Sequence, residues 1–210
     1  PTGNRAYYSN FGTSVEIAAP GGDTSVAAPA GATSGGILST LNAGLTTPTT
    51  DTYAYYQGTS MATPAVSGML ALFQEYFTNQ FGLRPSPALL KAMLINGARV
   101  TGSYKFAVTN NINYQGWGLV KLSNSIPLTL TNANPAFNKS IFFVDQSLTN
   151  ALATRDSRTW NVNIPTALGR AQTLRATLAW TDPPGNPAAA VKLVNDLDLV
   201  ITNLSSGAVY

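Results

Sequence analysis

The stretch best able to do chemistry is Gly58-Thr59-Ser60-Met61-Ala62-Thr63-Pro64. A serine hydroxyl needs surroundings that stabilise the charge developing as it attacks. A helix N-terminus supplies them, because its free backbone N–H groups point outward and its dipole end is positive. An apolar series at Val66, Met69, Leu70, Phe73, Tyr76 and Phe77 follows with i, i+3, i+4 spacing, so a buried helix begins close to Ser60. Gly58 permits a sharp turn into that helix, and Pro64 is placed near the first turn, where a missing N–H costs least. The plain alternative is that Thr59 and Ser60 only cap the helix, as Ser and Thr ahead of an apolar run generally do.

The elements that must carry this stretch can be read on either side of it. Asn4 to Gly12 reads as a turn, Val15 to Gly21 as a short strand stopped by Pro20-Gly21, and Ile37 to Leu41 as another strand. Residues 21–36 are almost wholly Gly, Ala, Ser, Thr and Pro and read as a mobile surface loop. A Thr-rich connector, Thr46 to Thr52, leads to Tyr53-Ala54-Tyr55-Tyr56-Gln57, which delivers the chain to Ser60. Beyond the serine helix, Ser86-Pro87 supplies an N-cap and first helical residue for a helix over Ala88 to Ile95, with Gly97 as its stop.

The seven residues Gly58 to Pro64, with Gly68 further along the helix, closely resemble the catalytic-serine motif of the subtilisin-like serine proteases, or subtilases. Pro87 to Ala98 looks like that family's next helix, and Asn113 to Val120 is similar to the closing segment of its catalytic domain. The resemblance implies an α/β fold with a central parallel sheet and a serine endopeptidase acting through an acyl-enzyme. Ser60 would be the nucleophile. Thr59, Ser60 and Met61 would support the oxyanion site, with the Ser60 N–H as one donor and an asparagine side chain as the other. Met61 would pack beside the site and be exposed enough to oxidise.

The chain has 210 residues and no histidine. In subtilases the base is a histidine oriented by an aspartate, and both lie far N-terminal to the serine. The expectation is therefore that this is the C-terminal part of the catalytic domain, with the Asp and His in a missing N-terminal part of the same protease. By itself the chain is expected to be inactive.

Other counts limit the rest. Only 10% of residues are charged, against a usual share of about 25%. Cysteine is absent, and the net charge of +3 forms no basic stripe, so nucleic acid is not a partner to expect. No run of about 18 apolar residues exists to span a membrane. Such a composition is compatible with a secreted protein. Asn138-Lys139-Ser140 and Asn203-Leu204-Ser205 match the glycosylation pattern and read as coincidence.

From about Ser125 the texture changes to short alternating segments: Ile141 to Val144, Trp160 to Ile164 and Leu174 to Trp180. Spaced strands without a helix signal read as an incomplete β-sandwich or barrel, giving two units, 1–124 and 125–210. The segments from Leu174 to Asp182 and Leu193 to Ile201 resemble the C-terminal β-barrel of the oxidant-stable alkaline proteases, a subtilase subgroup. Asp182, Asn195, Asp196 and Asp198 are the dense acidic group, with hard oxygen donors suited to a structural calcium ion. They read equally as the wet face of an amphipathic strand. Two other functions stay open: a catalytically inactive homologue that binds, and a carbohydrate- or surface-binding module in the β-rich part.

Overall fold

A computed structural model describes residues 3–25, 35–41, 53–102, 104, 111–126, 141–164 and 173–210. The loop expected at 21–36 and the Thr-rich connector therefore fall largely outside the described residues, as does Asn138-Lys139-Ser140. Strands β1 (Ile37–Thr40) and β2 (Tyr53–Tyr56) form an antiparallel pair in which Ile37 faces Tyr56 and Thr40 faces Tyr53. They are followed by helices α1 (Thr59–Phe81), α2 (Pro87–Gly97), α3 (Ile112–Gln115) and α4 (Leu122–Ser125).

The two long helices form where the apolar spacing placed them. The core joins Phe73 and Phe77 of α1 to Leu89, Leu90, Met93 and Leu94 of α2, with Val120 and Ile126 between. Phe73 and Phe77 are 0% exposed, and burial of such side chains is worth about 1.5–3 kcal/mol each. α1 stops at Gly82, whose left-handed φ of 64° lets its N–H reach the carbonyls of Phe77 and Thr78. α2 starts as its sequence predicts: the Ser86 hydroxyl accepts from the Leu89 N–H at 3.1 Å, and Pro87 opens the helix. Gly97 is the last helical residue of α2, and the stop falls at Ala98 in extended conformation.

The expected parallel sheet is present only in miniature. Ala18 and Leu119 form a parallel bridge and Leu119 pairs antiparallel with Arg99. Around them Trp117 N–H donates to the Glu16 carbonyl at 3.0 Å, Ala18 N–H to Gly118 at 2.9 Å and Val120 N–H to Ala18 at 2.9 Å. Among the described residues no further strand joins this ladder, so it does not grow into a sheet.

No β-sandwich or barrel is formed among the described residues after Ser125. The segments at 141–147, 157–163 and 173–182 are assigned neither strand nor bridge. The sole pairing there is the bridge from Thr202 to Val209, in a hairpin closed by Ile201 and Tyr210. Their alternation still governs side chains: Ile141, Phe143 and Asp145 are half-buried while Phe142 and Val144 face out. Phe143 meets Phe77 edge-on at 4.8 Å and Phe81 at 5.1 Å. Asp145 accepts from the Ser86 N–H at 2.7 Å and from its hydroxyl at 2.6 Å. Arg175 donates to the carbonyls of Asn96 and Ala98. Both ends of α2 are thus held by chain from beyond residue 125.

Candidate active site

Ser60 is the second residue of α1, and the helix N-cap is Gly58, with φ 142° and ψ 169°. That left-handed φ is open to glycine and strained for side-chain-bearing residues, so Gly58 can turn the chain from β2 into α1. Gly58 has no side chain to cap with, and the first turn contains no acidic residue. The Gly58 carbonyl takes the N–H groups of Met61 at 3.0 Å and Ala62 at 3.3 Å. Among the described residues nothing hydrogen-bonds the N–H groups of Thr59 and Ser60, or the Ser60 hydroxyl. Ser60 is exposed. The capping alternative for Thr59 and Ser60 is therefore not what the chain adopts. Ser86, the last residue of the connector after α1, shows what a serine cap looks like here.

Pro64 is deeper in the helix than its sequence position implied. As the sixth residue of α1 it lies beyond the N–H groups that lack intrahelical acceptors, and it withholds the bond that position would give to the Ser60 carbonyl. Thr63 donates its hydroxyl to the Thr59 carbonyl at 2.9 Å, and Ser67 does the same to Thr63 at 3.2 Å. Met61 is half-buried, its sulfur 3.8 Å from where a Cβ on Gly58 would stand.

The approach to the helix is tied to an earlier loop. Gly58 N–H donates to the Gly21 carbonyl at 2.9 Å. A Cβ on Gly21 would lie 2.8 Å from the Gly58 oxygen and 2.7 Å from the Tyr8 hydroxyl, so only glycine allows this approach. Tyr8 donates its hydroxyl to the Gly22 carbonyl at 2.5 Å. Burial pushes the Tyr8 phenol above its ordinary 10.0; the backbone of Gly58 pulls it down, and Asp23 and Tyr7 add to the rise. Gln57 accepts from the Thr24 N–H at 2.6 Å and its hydroxyl at 3.0 Å, and donates to the Tyr7 hydroxyl at 2.5 Å. Sequence reasoning singled out none of Tyr7, Tyr8 or Gln57. No local signal marks them, since their partners are 14 to 50 residues away.

The acidic group does not assemble as a calcium site. Asp182 and Asn195 do come together, but the Asp182 carboxylate is filled by donors: Val194 N–H at 2.7 Å, Asn195 N–H at 2.9 Å and the Asn195 carboxamide at 2.9 Å. The Val194 N–H, foremost, holds the carboxyl below its ordinary 3.8 against partial desolvation, with the Asn195 bonds adding to the effect. Asp196 and Asp198 do not join it. Among the described residues no group of three or more His, Cys, Asp or Glu could hold a metal. A carboxylate whose oxygens already accept three N–H bonds, with its amide neighbour turned as donor, is built as a loop tie and does not fit a cation. Asn203 likewise has a structural role: its side-chain oxygen accepts from Ser205 N–H at 2.9 Å and Ser206 N–H at 3.3 Å in the hairpin turn.

Residues 1–118 match the Subtilase family of peptidases. That is more than half of the 210 residues, and the chain belongs to this family. An extracellular protease of Xanthomonas campestris pv. campestris is 42% identical over 97 residues, covering 46% of this chain and 14% of that protein. An extracellular basic protease of Dichelobacter nodosus is 32% identical over 136 residues, 65% of this chain and 19% of its own length. The serine protease/ABC transporter B family protein tagD of Dictyostelium discoideum is 27% identical over 200 residues, 78% of this chain and 11% of its own length. The chain spans less than a fifth of each of these relatives. Among the described residues no helix is long and apolar enough to cross a membrane.

Proposed function

We propose that the chain carries the nucleophile of a secreted serine endopeptidase. The observation that carries this is an exposed serine hydroxyl, without a hydrogen-bond partner among the described residues, in the first turn of a helix whose N-cap is a glycine with no side-chain cap. Ser60 Oγ attacks the carbonyl carbon of a peptide bond and passes its proton to a base. The carbonyl oxygen gains the negative charge, which the Ser60 N–H and the positive end of α1 stabilise. Collapse of this intermediate expels the amine, protonated by the same base, and leaves an acyl group on Ser60 Oγ. Water attacks the ester, the base takes its proton, and the acid product departs.

The chain has no histidine, so the base and the aspartate that orients it come from other parts of the protease. Protein and peptide substrates follow from the chemistry, and secretion is supported by relatives named extracellular proteases. The catalytic unit is read as 1–124 and an appended unit as 125–210, the family match ending at residue 118.

The test uses the full-length protease. Ser60→Ala is expected to lower turnover by about 10⁶, the cost of losing the nucleophile in subtilisin, a member of the same family. A fluorophosphonate probe should label Ser60 in the unaltered protein. A folded protein that the probe leaves unlabelled would point to an inactive, binding homologue instead.

A further inference from the structure

We propose that Gln57 is a positioning residue for Ser60, a role that rests on the nucleophile reading above. The turn carrying Ser60 is held by few bonds of its own. Its cap residue has no side chain, and Pro64 gives no N–H to the Ser60 carbonyl. Direction must therefore be imposed from outside the helix. Two consecutive residues do this. Gly58 fixes its N–H on the Gly21 carbonyl at 2.9 Å, and Gln57 fixes its side chain on the same loop three residues further on.

The Gln57 carboxamide is used at both ends. Its oxygen takes two donors from Thr24, and its nitrogen reaches the Tyr7 hydroxyl, so one side chain joins segments 33 and 50 residues away to the last residue before Gly58. Tyr8 secures the far side of the loop through Gly22. Gln57 makes no contact with the Ser60 hydroxyl. It acts through Gly58, by fixing the direction from which α1 begins. Loosening that direction moves Oγ relative to the scissile carbonyl without altering where the substrate is bound. A displacement of about 1 Å can cost on the order of 100-fold in rate. The loss should therefore fall on kcat rather than KM.

The test is steady-state hydrolysis of a peptide amide by the full-length protease, alongside the rate of fluorophosphonate labelling. Gln57→Ala is expected to lower kcat and labelling rate by about 10- to 100-fold, with KM within about twofold and labelling still reaching completion. Gln57→Glu should restore kcat to within about threefold, because a carboxylate accepts from Thr24 and from the Tyr7 hydroxyl alike. Tyr7→Phe should lower kcat less, and its effect should vanish in the Gln57→Ala background. A folded Gln57→Ala enzyme with kcat within about twofold of normal overturns the proposal. So does a Gln57→Glu enzyme that recovers thermal stability but not kcat. If Gln57→Ala does not fold, Tyr7→Phe decides, and an unchanged kcat overturns it. Ser60→Ala, assayed in parallel, separates the two readings: residual full activity there removes the nucleophile assignment itself, and with it this role for Gln57.

Discussion

Hydroxyl groups in this chain have their roles decided by what surrounds them. Ser86 spends its lone pair on a helix N–H, Tyr8 gives its proton to a carbonyl, and among the described residues Ser60 has neither kind of partner. The Tyr8 bond requires the neutral phenol, and burial raises its pKa above 10.0. A raised value means that the stabilisation is complete below the ordinary pKa and is lost as pH climbs through the raised one. The stability difference between the unaltered protein and Tyr8→Phe should therefore be flat up to about pH 10 and shrink above it, as read by urea unfolding across that range. Asp182 runs the other way. Its lowered pKa stabilises the 193–195 segment above 3.8, and that contribution disappears as pH falls through the lowered value. Hydrogen exchange at the Val194 and Asn195 amides should show protection at neutral pH that is lost in acid. In Asp182→Ala it should be absent throughout.

At the level of elements, α2 is the member with the most external support. Ser86 caps its start while Asp145 takes both the N–H and the hydroxyl of Ser86, and Arg175 faces the carbonyls at its end. Arginine at a helix C-terminus also complements the dipole. Ser86→Ala should cost about 0.5–2 kcal/mol in thermal or urea unfolding. Asp145→Ala should cost about 1–3 kcal/mol, with much of the loss shared between the two in a double-mutant cycle. The two long helices were legible in sequence because helical spacing, N-cap serine and opening proline are all local signals, as Val66 to Phe77 and Ser86-Pro87 illustrate. The expected sandwich was not, because alternation such as Ile141 to Val144 tells which side chains turn inward but not which backbone pairs with which. Ser60 stood out as a candidate because its seven-residue setting is contiguous in sequence. Gln57 did not, since its partners are brought from residues 7 and 24 by the fold. The acidic group failed for a related reason: spacing put Asp196 and Asp198 on one face of a strand that is not paired, while Asp182 found N–H donors first.

Across the whole molecule, residues beyond 125 touch both long helices. Phe143 packs on Phe77 and Phe81, and the segments around Asp145 and Arg175 grip the two ends of α2. A chain ended at residue 126 should therefore show a lower melting temperature and weaker amide protection in α2 than one that continues through residue 182. Equal protection in the two would show that the later segments only rest on the helix. Phe77, at 0% exposure, should cost about 3–5 kcal/mol when truncated to alanine, read by the same unfolding experiments.

The gripping of α2 from later in the chain also sets an order of events in time. Asp145 follows Ser86 by 59 residues, and Arg175 follows Asn96 by 79. At ribosomal rates of about 5–20 residues per second, α2 waits roughly 3–12 seconds for the first of these partners and longer for the second. During that interval α2 has its own Ser86 cap but neither Asp145 at its start nor Arg175 at its end. With Ser60 as the proposed nucleophile, the support of its neighbourhood is completed only once Arg175 has been made, which delays the moment at which that serine can react. Chains arrested at successive lengths on the ribosome should gain fluorophosphonate reactivity only once Arg175 has emerged, and reactivity already complete before Asp145 would show that no such delay exists.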